Sequence, residues 1–167
     1  MFRLLPESEA DAPEVEMLYD LVFAPGRLAL SSYRLRDGVA PIAALNHIAR
    51  DEFDAVVGAI RYWPVRIGGA GLPALLLGPV AVHPTRQGEG LGALLIAETL
   101  EMAEEAGWTR VLLIGDAPYY GRFGFRRDLA AGLTFPPPTN PERVLARALS
   151  AGAMDDVAGD VLPWTAG

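Results

Sequence analysis

An apolar strand that runs into a glycine-rich turn and then into an amphipathic helix is the feature that most limits how this chain can fold. Residues 75–82 read LLLGPVAV, residues 83–92 read HPTRQGEGLG, and apolar side chains recur at helical spacing over residues 91–106. A second apolar stretch, residues 110–114, follows and leads into DAPYYGRFGF. Because the hydrophobic period changes from a continuous run to a helical repeat and back, we expect a strand–turn–helix–strand unit.

Length and composition predict a single domain over residues 1–167. The 167 residues are 51% hydrophobic, which is enough for one buried core. No apolar run is long enough to span a bilayer. The first ten positions already contain acidic residues, unlike the basic start and apolar block of a secretory signal, so we expect a cytoplasmic protein without a membrane partner.

The charged and metal-binding residue types exclude several classes of function. The chain has no cysteine, and its two histidines, His47 and His83, do not have the spacing of metal ligands. We therefore expect no disulfide, no thiolate nucleophile and no metal site. The formal net charge is −7 without a basic cluster, which argues against nucleic-acid binding. All 14 basic residues are arginines, and the absence of lysine excludes a Walker A loop and Schiff-base chemistry.

The periodicity along the chain predicts a mixed order of helices and strands, of the α/β (α+β) class. We expect helices at residues 13–23, 27–36, 91–106 and 143–149, and a further helix whose first residue is Pro118. We expect strands at residues 43–50, 55–63, 74–82 and 110–114, and another in the tail before Trp164. Gly107 and Gly124 are expected to end the helices that precede them.

The turn between the strand and the long helix can bind an anion through its backbone. It consists of Gln87, Gly88, Glu89, Gly90, Leu91 and Gly92. Its glycines permit positive φ angles and a close approach of the backbone, and the free N–H groups at the helix start suit a phosphate oxygen. An ordinary tight turn explains the same residues equally well. The glycine spacing does not match the dinucleotide-binding fingerprint, so a Rossmann-type nucleotide binder is excluded.

Two motifs together resemble a known family. The run Val80-Ala81-Val82-His83-Pro84, followed by Gln87-x-x-Gly90-x-Gly92, resembles the acyl-CoA signature of the GCN5-related N-acetyltransferases, abbreviated GNAT. Residues 115–125, GDAPYYGRFGF, resemble a subgroup of predicted acetyltransferases called YhbS-like. The resemblance implies the GNAT fold, which has a mixed, mostly antiparallel central sheet, splayed between the fourth and fifth strands, with helices on both faces.

The resemblance also implies where the cosubstrate acetyl-CoA binds. Its pantetheine arm is expected to lie along the backbone of Val80, Ala81 and Val82, and its pyrophosphate on the turn from Gln87 to Gly92. For the Val80 and Val82 side chains themselves, core packing is the favoured interpretation. The family places its tyrosine proton donor four residues before the glycine of Gly124-Phe125, which is Tyr120. A packed aromatic is the alternative for Tyr120, and it is favoured for Tyr119.

The resemblance leaves the general base and the acceptor open. Many members carry a glutamate on the strand before the turn, whereas residues 74–82 contain no carboxylate. His83 is expected to shape the turn and Asp116 to cap or brace a loop, so a water chain or an already deprotonated amine is as good a candidate as any residue. Near the N-terminal helices lie Arg27, Tyr33, Arg34 and Arg36, which can either hold an acidic group or form a solvated helix face.

The leading hypothesis is an N-acetyltransferase that moves an acetyl group from acetyl-CoA to a primary amine of a small molecule or a protein by direct attack. The alternative is a non-catalytic acyl-CoA-binding sensor or regulatory module with the same fold. The missing base keeps the alternative open, whereas the retained Tyr120 argues against it. A homodimer is compatible with either.

Overall fold

The computed structural model describes residues 2–23 and 31–164, in which eight strands and four α-helices form one mixed sheet with flanking helices. The strands are β1 (Arg3–Pro6), β2 (His47–Arg50), β3 (Val56–Ile67), β4 (Leu72–Val82), β5 (Arg110–Ile114), β6 (Leu133–Thr134), β7 (Val144–Ala148) and β8 (Gly159–Pro163). The helices are α1 (Ala12–Phe23), α2 (Ser31–Arg34), α3 (Leu91–Glu105) and α4 (Ala117–Tyr120). None of the helices described is long and apolar enough to cross a membrane.

The sheet is mostly antiparallel, as the resemblance predicts. Its strand order is β1-β2-β3-β4-β5-β7, and within this path only the β4–β5 pair is parallel. The long β3–β4 hairpin forms the centre, and β8 pairs with the far end of β3 and with β6. The parallel pair follows from the chain's path, because α3 carries the chain from the end of β4 back to the start of β5.

The sheet opens between β4 and β5 after only two paired positions. Leu75 pairs with Val111 and Leu76 with Leu112, whereas β4 remains paired with β3 as far as Val82. In the opened part β4 carries an irregularity in which Gly78 and Pro79 together lie opposite one β3 residue, between the pairs Tyr62–Leu77 and Ile60–Val80. Gly78 has a φ of 128°, a conformation that favours glycine. The predicted splay between the fourth and fifth strands is confirmed.

Helices α1 and α3 pack on opposite faces of the sheet. The buried side of α1 forms a cluster with Ile48 of β2, and the buried side of α3 forms a cluster with the next residue, Ala49. Successive side chains of a strand point to opposite faces, so the two helices enclose the sheet between them. A third cluster fills the other end of the sheet, where β8 and residues 128–135 cover the hairpin.

Most of the predicted elements are confirmed, and one is wrong. Residues 143–149, predicted as a helix, contain strand β7, which pairs antiparallel with the whole of β5. Strand β1, at the sheet edge, has no counterpart among the predicted strands. Strand β2 begins at His47 rather than at residue 43, and β3 extends to Ile67. The predicted helix over 27–36 is confirmed at α2, and its first residues, 27–30, lie outside the described part of the chain.

We predict that Gly58→Ala will destabilise the protein by about 1–3 kcal/mol, because the added methyl group overpacks the contact between β3 and α3. A Cβ at Gly58 would lie 3.0 Å from Leu95 Cδ1 and 3.1 Å from Leu91 Cδ2. Both leucines are buried, so neither can move away freely. The measurement is the free energy of unfolding in urea. Gly69→Ala is the matched control, since a Cβ there meets nothing within 4 Å. Equal stability of the two variants would contradict the packing argument.

Candidate active site

The glycine turn presents the open N-terminus of α3 to solvent. Gly88 and Gly90 adopt positive φ angles of 87° and 80°, and Gly90 is the N-cap residue without a side-chain cap. The first N–H groups of an α-helix have no partner within the helix, so here they remain available to an oxyanion. Two of the six turn residues predicted to bind the cofactor, Gly88 and Gly90, thus have the positive φ angles expected of such a turn, and the cofactor role of all six stays a prediction.

The side chains of the turn brace it rather than point to a ligand. Gln87 Nε2 donates a hydrogen bond to the carbonyl of Val82 at 3.2 Å, which ties the turn to the end of β4. The Glu89 carboxylate lies 3.9 Å from the Arg86 guanidinium, and Leu91 is buried in the core. Any contribution of Glu89 and Leu91 to anion binding therefore comes from their backbone.

The side chains of the last three β4 residues alternate between the two faces of the sheet. Val80 lines the gap between β4 and β5, and Val82 lines the cavity at the glycine turn. Ala81 is buried on the α1 side. In this stretch β4 has no pairing with β5, so one edge of its backbone faces the gap. The Tyr19 hydroxyl of α1 donates to the Pro79 carbonyl at 3.0 Å and fixes the irregular segment from the other side.

The gap between β4 and β5 is a cleft of about 300 Å³. One wall of the cleft is formed by the β4 residues Leu76, Leu77, Gly78, Pro79 and Val80. The other wall is formed by Leu113 and Ile114 of β5, together with Gly115, Asp116, Tyr119 and Tyr120. The rest of the lining consists of Phe23, Ser32, Tyr33, Arg36 and Arg143.

A second cavity, of about 410 Å³, surrounds the glycine turn. Tyr119 lines both cavities, so they adjoin at this residue.

Tyr120 is held in the cleft by close packing against Gly115. A Cβ at Gly115 would lie 2.8 Å from Tyr120 Cδ2, so only glycine fits beneath the ring. The ring also contacts Tyr119 and Phe125 edge-to-face, with centroid separations of 4.9 Å and 6.1 Å. Burial, and to a lesser extent the neighbouring Tyr119 and Asp116, raise the pKa of Tyr120 to about 12. The phenol is therefore protonated throughout the physiological range.

Tyr119 and Arg122 lie at the glycine turn, although neither was predicted to belong to the cofactor site. A Cβ at Gly92 would lie 3.3 Å from the Tyr119 hydroxyl oxygen. The Arg122 guanidinium lies over the Tyr119 ring at 4.4 Å and lines the same cavity, where it adds a positive charge. Both residues belong to the YYGRFGF motif, but only the fold brings them to the turn.

His83 and Asp116 have the structural positions expected of them. The Thr85 backbone N–H donates to His83 Nδ1 at 3.2 Å, and the Thr85 hydroxyl lies 2.8 Å from the same nitrogen, so His83 caps the short helical turn Pro84–Arg86. Asp116 is the N-cap residue of α4 and lies 3.5 Å from Arg143 at the cleft rim. Among the described residues that line the cleft, Asp116 carries the only carboxylate.

Of the four residues that sequence reasoning set near the acceptor, Tyr33 and Arg36 line the cleft. Arg34 is exposed and lines a neighbouring cavity, and Arg27 lies outside the described residues. Arg36 is only 8% exposed, so it is not part of a solvated helix face. Within residues 2–23 and 31–164, no three histidine, aspartate or glutamate side chains are grouped so that they could hold a metal ion.

Comparison with known proteins identifies one family. The model of the acetyltransferase (GNAT) domain matches residues 8–127. The N-acetyltransferase YhbS of Escherichia coli strain K12, whose name describes it as uncharacterised, is 33% identical over 126 residues, which cover 75% of this chain and 72% of the relative. Residues 8–127, which the family model matches, include the glycine turn and the two tyrosines.

Solved structures show the same fold. A crystal structure of YhbS from Escherichia coli in complex with CoA superposes with a TM-score of 0.81 at 28% identity, over 98% of this chain and 88% of the other. A GNAT family acetyltransferase from Brucella melitensis in complex with acetyl-CoA has a TM-score of 0.72 at 31% identity, over 97% and 95% of the two chains.

We predict that the pKa of the Tyr120 phenol is about two pH units higher than that of an ordinary tyrosine, because burial disfavours its anion. The pKa should be close to 12, against an ordinary value of about 10. The measurement is an ultraviolet difference titration of the wild type against Tyr120→Phe, recorded in the pH range where circular dichroism shows the fold intact. A titration at the ordinary value would show that Tyr120 is exposed to solvent.

Proposed function

Because the chain belongs to the GNAT acetyltransferase family, we propose that it transfers the acetyl group of acetyl-CoA to a primary amine by direct attack. The observation that carries the proposal is that Tyr119 lines both the cleft between β4 and β5 and the cavity at the glycine turn. One extended ligand can occupy both, with its pyrophosphate at the glycine turn and its thioester between β4 and β5. The relatives crystallised with CoA and acetyl-CoA support this choice of cosubstrate.

In the proposed complex, the opened edge of β4 binds the pantetheine arm. The backbone of Val80, Ala81 and Val82 exchanges hydrogen bonds with the amides of the arm, which adds to β4 as an extra strand. The glycine turn from Gln87 to Gly92 donates its N–H groups to the pyrophosphate, and Arg122 contributes a positive charge beside it. A backbone N–H near Ala81 or Val82 stabilises the tetrahedral oxyanion.

Tyr120 is the proposed general acid. The unprotonated amine attacks the thioester carbon, the carbon–sulfur bond breaks, and the phenol donates a hydrogen bond and then its proton to the departing thiolate. The proton that the amine loses restores the phenol by way of water, so the products are the N-acetylated amine and CoA. The phenol is fully protonated before reaction, as a proton donor must be.

No protein side chain is proposed as the general base. The opened segment of β4 offers no carboxylate, His83 is engaged with Thr85, and Asp116 is paired with Arg143. The amine is therefore proposed to enter as its free base or to lose its proton to water. An enzyme of this kind activates the leaving group rather than the nucleophile.

We predict that Tyr120→Phe lowers kcat by roughly 10²–10⁴-fold with little change in acetyl-CoA affinity. Thiol release across a panel of amines gives kcat, and calorimetry with CoA gives the affinity. The phenylalanine ring preserves the packing on Gly115, so a folded variant isolates the hydroxyl. An unchanged kcat would reject Tyr120 as the acid, and CoA binding by the wild type without turnover of any amine would favour the non-catalytic module.

We predict that kcat/KM rises with pH until the pKa of the acceptor amine is reached and then stays constant while the protein is folded. The rise reports free-base amine, and no fall follows because the Tyr120 pKa of about 12 keeps the donor protonated. The measurement compares pH profiles for two acceptors whose amine pKa values differ, and the inflection should move with the amine. An inflection near neutral pH that is common to both acceptors would instead reveal a base on the protein.

A further inference from the structure

The hydroxyl of Tyr19 reaches from α1 to the backbone of β4 at the point where the sheet opens. Tyr19 is fully buried, and its hydroxyl donates a hydrogen bond to the Pro79 carbonyl at 3.0 Å. Pro79 belongs to the irregular segment of β4 and lines the cleft. Burial raises the pKa of Tyr19 well above its ordinary value, so the hydroxyl keeps its proton and remains a donor.

The pairing of β3 with β4 shows which way the backbone of Val80 faces. The His83 N–H donates to the Val57 carbonyl at 2.8 Å, so these two residues form a hydrogen-bonded pair of the antiparallel ladder. Such pairs alternate with pairs whose N–H and C=O groups point away from the partner strand. The Ile60–Val80 pair lies three steps further along the regular ladder and is therefore of the second kind. The Val80 N–H thus points away from β3 into the gap, where β4 has no pairing with β5.

A single peptide group connects Tyr19 with the gap. The bond between Pro79 and Val80 is trans, so the Pro79 carbonyl and the Val80 N–H lie in one plane and point in opposite directions. A hydrogen bond that holds the carbonyl on the α1 side therefore also holds the N–H towards the gap. Because hydrogen bonds in a chain polarise one another, the bond at the carbonyl also makes this N–H a stronger donor.

Charged groups fix the ring of Tyr19 between the helix and the sheet. The Arg61 guanidinium lies over the ring, with its Cζ atom 5.4 Å from the centroid. The same guanidinium binds the carboxylates of Glu7 at 2.8 Å and Glu16 at 2.7 Å. Glu16 belongs to α1 and Arg61 to β3, so this ion-pair network ties the helix to the sheet beside Tyr19.

We propose that Tyr19 is a positioning residue that holds the Val80 N–H towards the carbonyl oxygen of the acetyl thioester. The proposal rests on the acetyl transfer proposed above and adds a residue that lies outside both sequence motifs. Val80 lines the cleft together with Tyr120, whereas Val82 lines the cavity at the glycine turn, so the Val80 N–H is the one beside the thioester. When the amine attacks, the thioester oxygen gains negative charge, and a donor already directed at it stabilises that charge.

The first test needs no turnover. Difference infrared spectroscopy with acetyl-CoA that is isotopically labelled at the thioester carbonyl measures the stretching frequency of the bound carbonyl, which falls as hydrogen bonding to its oxygen strengthens. We expect a lower frequency in the wild type than in Tyr19→Phe. Equal frequencies would overturn the proposal. A lower wild-type frequency in a protein that acetylates no amine would support the role of Tyr19 and reject acetyl transfer as the function.

The second test separates kcat from binding. Tyr19→Phe should lower kcat roughly threefold to tenfold, the effect of one hydrogen bond between neutral groups, with little change in KM for acetyl-CoA. Tyr62→Phe is the matched control, because Tyr62 is also fully buried and its hydroxyl lies 2.8 Å from Thr99 Oγ1 in the core. Both variants should lose similar stability, and the control should keep its kcat. An unchanged kcat in folded Tyr19→Phe, or an equal fall in both variants, would overturn the proposal.

A stronger donor at the same position tests the converse. A ring-fluorinated tyrosine at position 19 keeps the ring and the hydroxyl but makes the hydroxyl more acidic, and burial still keeps it protonated. We expect the carbonyl frequency of bound acetyl-CoA to fall below that of the wild type. This measurement decides the question even where Tyr19→Phe does not fold. An unchanged or higher frequency in the folded fluorinated protein would overturn the proposal.

Discussion

Backbone hydrogen bonding is the constraint on which the rest of this structure depends. A strand in the middle of a sheet must pair on both edges or leave polar groups exposed in a partly buried site. Strand β4 satisfies its β3 edge along most of its length and its β5 edge at only two positions. The opened edge can be satisfied by solvent or by a ligand with hydrogen-bonding groups, and the pantetheine arm of the proposed complex supplies two amides. The same break in pairing therefore creates both the cavity and its binding chemistry.

Local groups, rather than overall charge, explain how an acidic protein can bind anions. The formal net charge is −7, and salt screens such a diffuse charge over about 8–10 Å. At the glycine turn, backbone N–H groups and Arg122 face the cavity directly. The nearby Arg86 does not add a comparable charge, because Asp51 and Glu52 bind it at 3.1 Å and 2.7 Å.

The sequence predicted the elements whose pattern is local and missed those that depend on distant partners. The strand, turn and helix from Leu72 to Glu105 have strong periodicity and clear end signals, and β5 is too short and apolar to be anything else. Residues 143–149 have good helix-forming composition, but their three consecutive buried residues, Val144, Leu145 and Ala146, pair with β5. Strand β1 has only four residues and is defined by its pairing with β2.

The distinction between local patterns and distant partners also applies to the candidate site. Tyr120 and the glycine turn lie within recognisable motifs, so the sequence alone could single them out. The structural role of His83 was also predictable, because its partner, Thr85, is two residues away. In contrast, nothing in the sequence separates Arg36 from Arg34. Only the fold places the Arg36 guanidinium against β4 at Gly78 and leaves Arg34 exposed.

Burial of Tyr120 affects both partners of the proposed proton transfer. A phenol with a pKa of about 12 is a weaker acid than a CoA thiol, whose pKa in water is about 8.5, so full transfer would be unfavourable for a solvated thiolate. In the proposed reaction, however, the thiolate forms in the same cleft, where desolvation raises its pKa as well. Low polarity also strengthens a hydrogen bond to a developing charge. The hydroxyl can therefore stabilise the leaving group early and complete proton transfer late, which makes its position on Gly115 more important than its acidity.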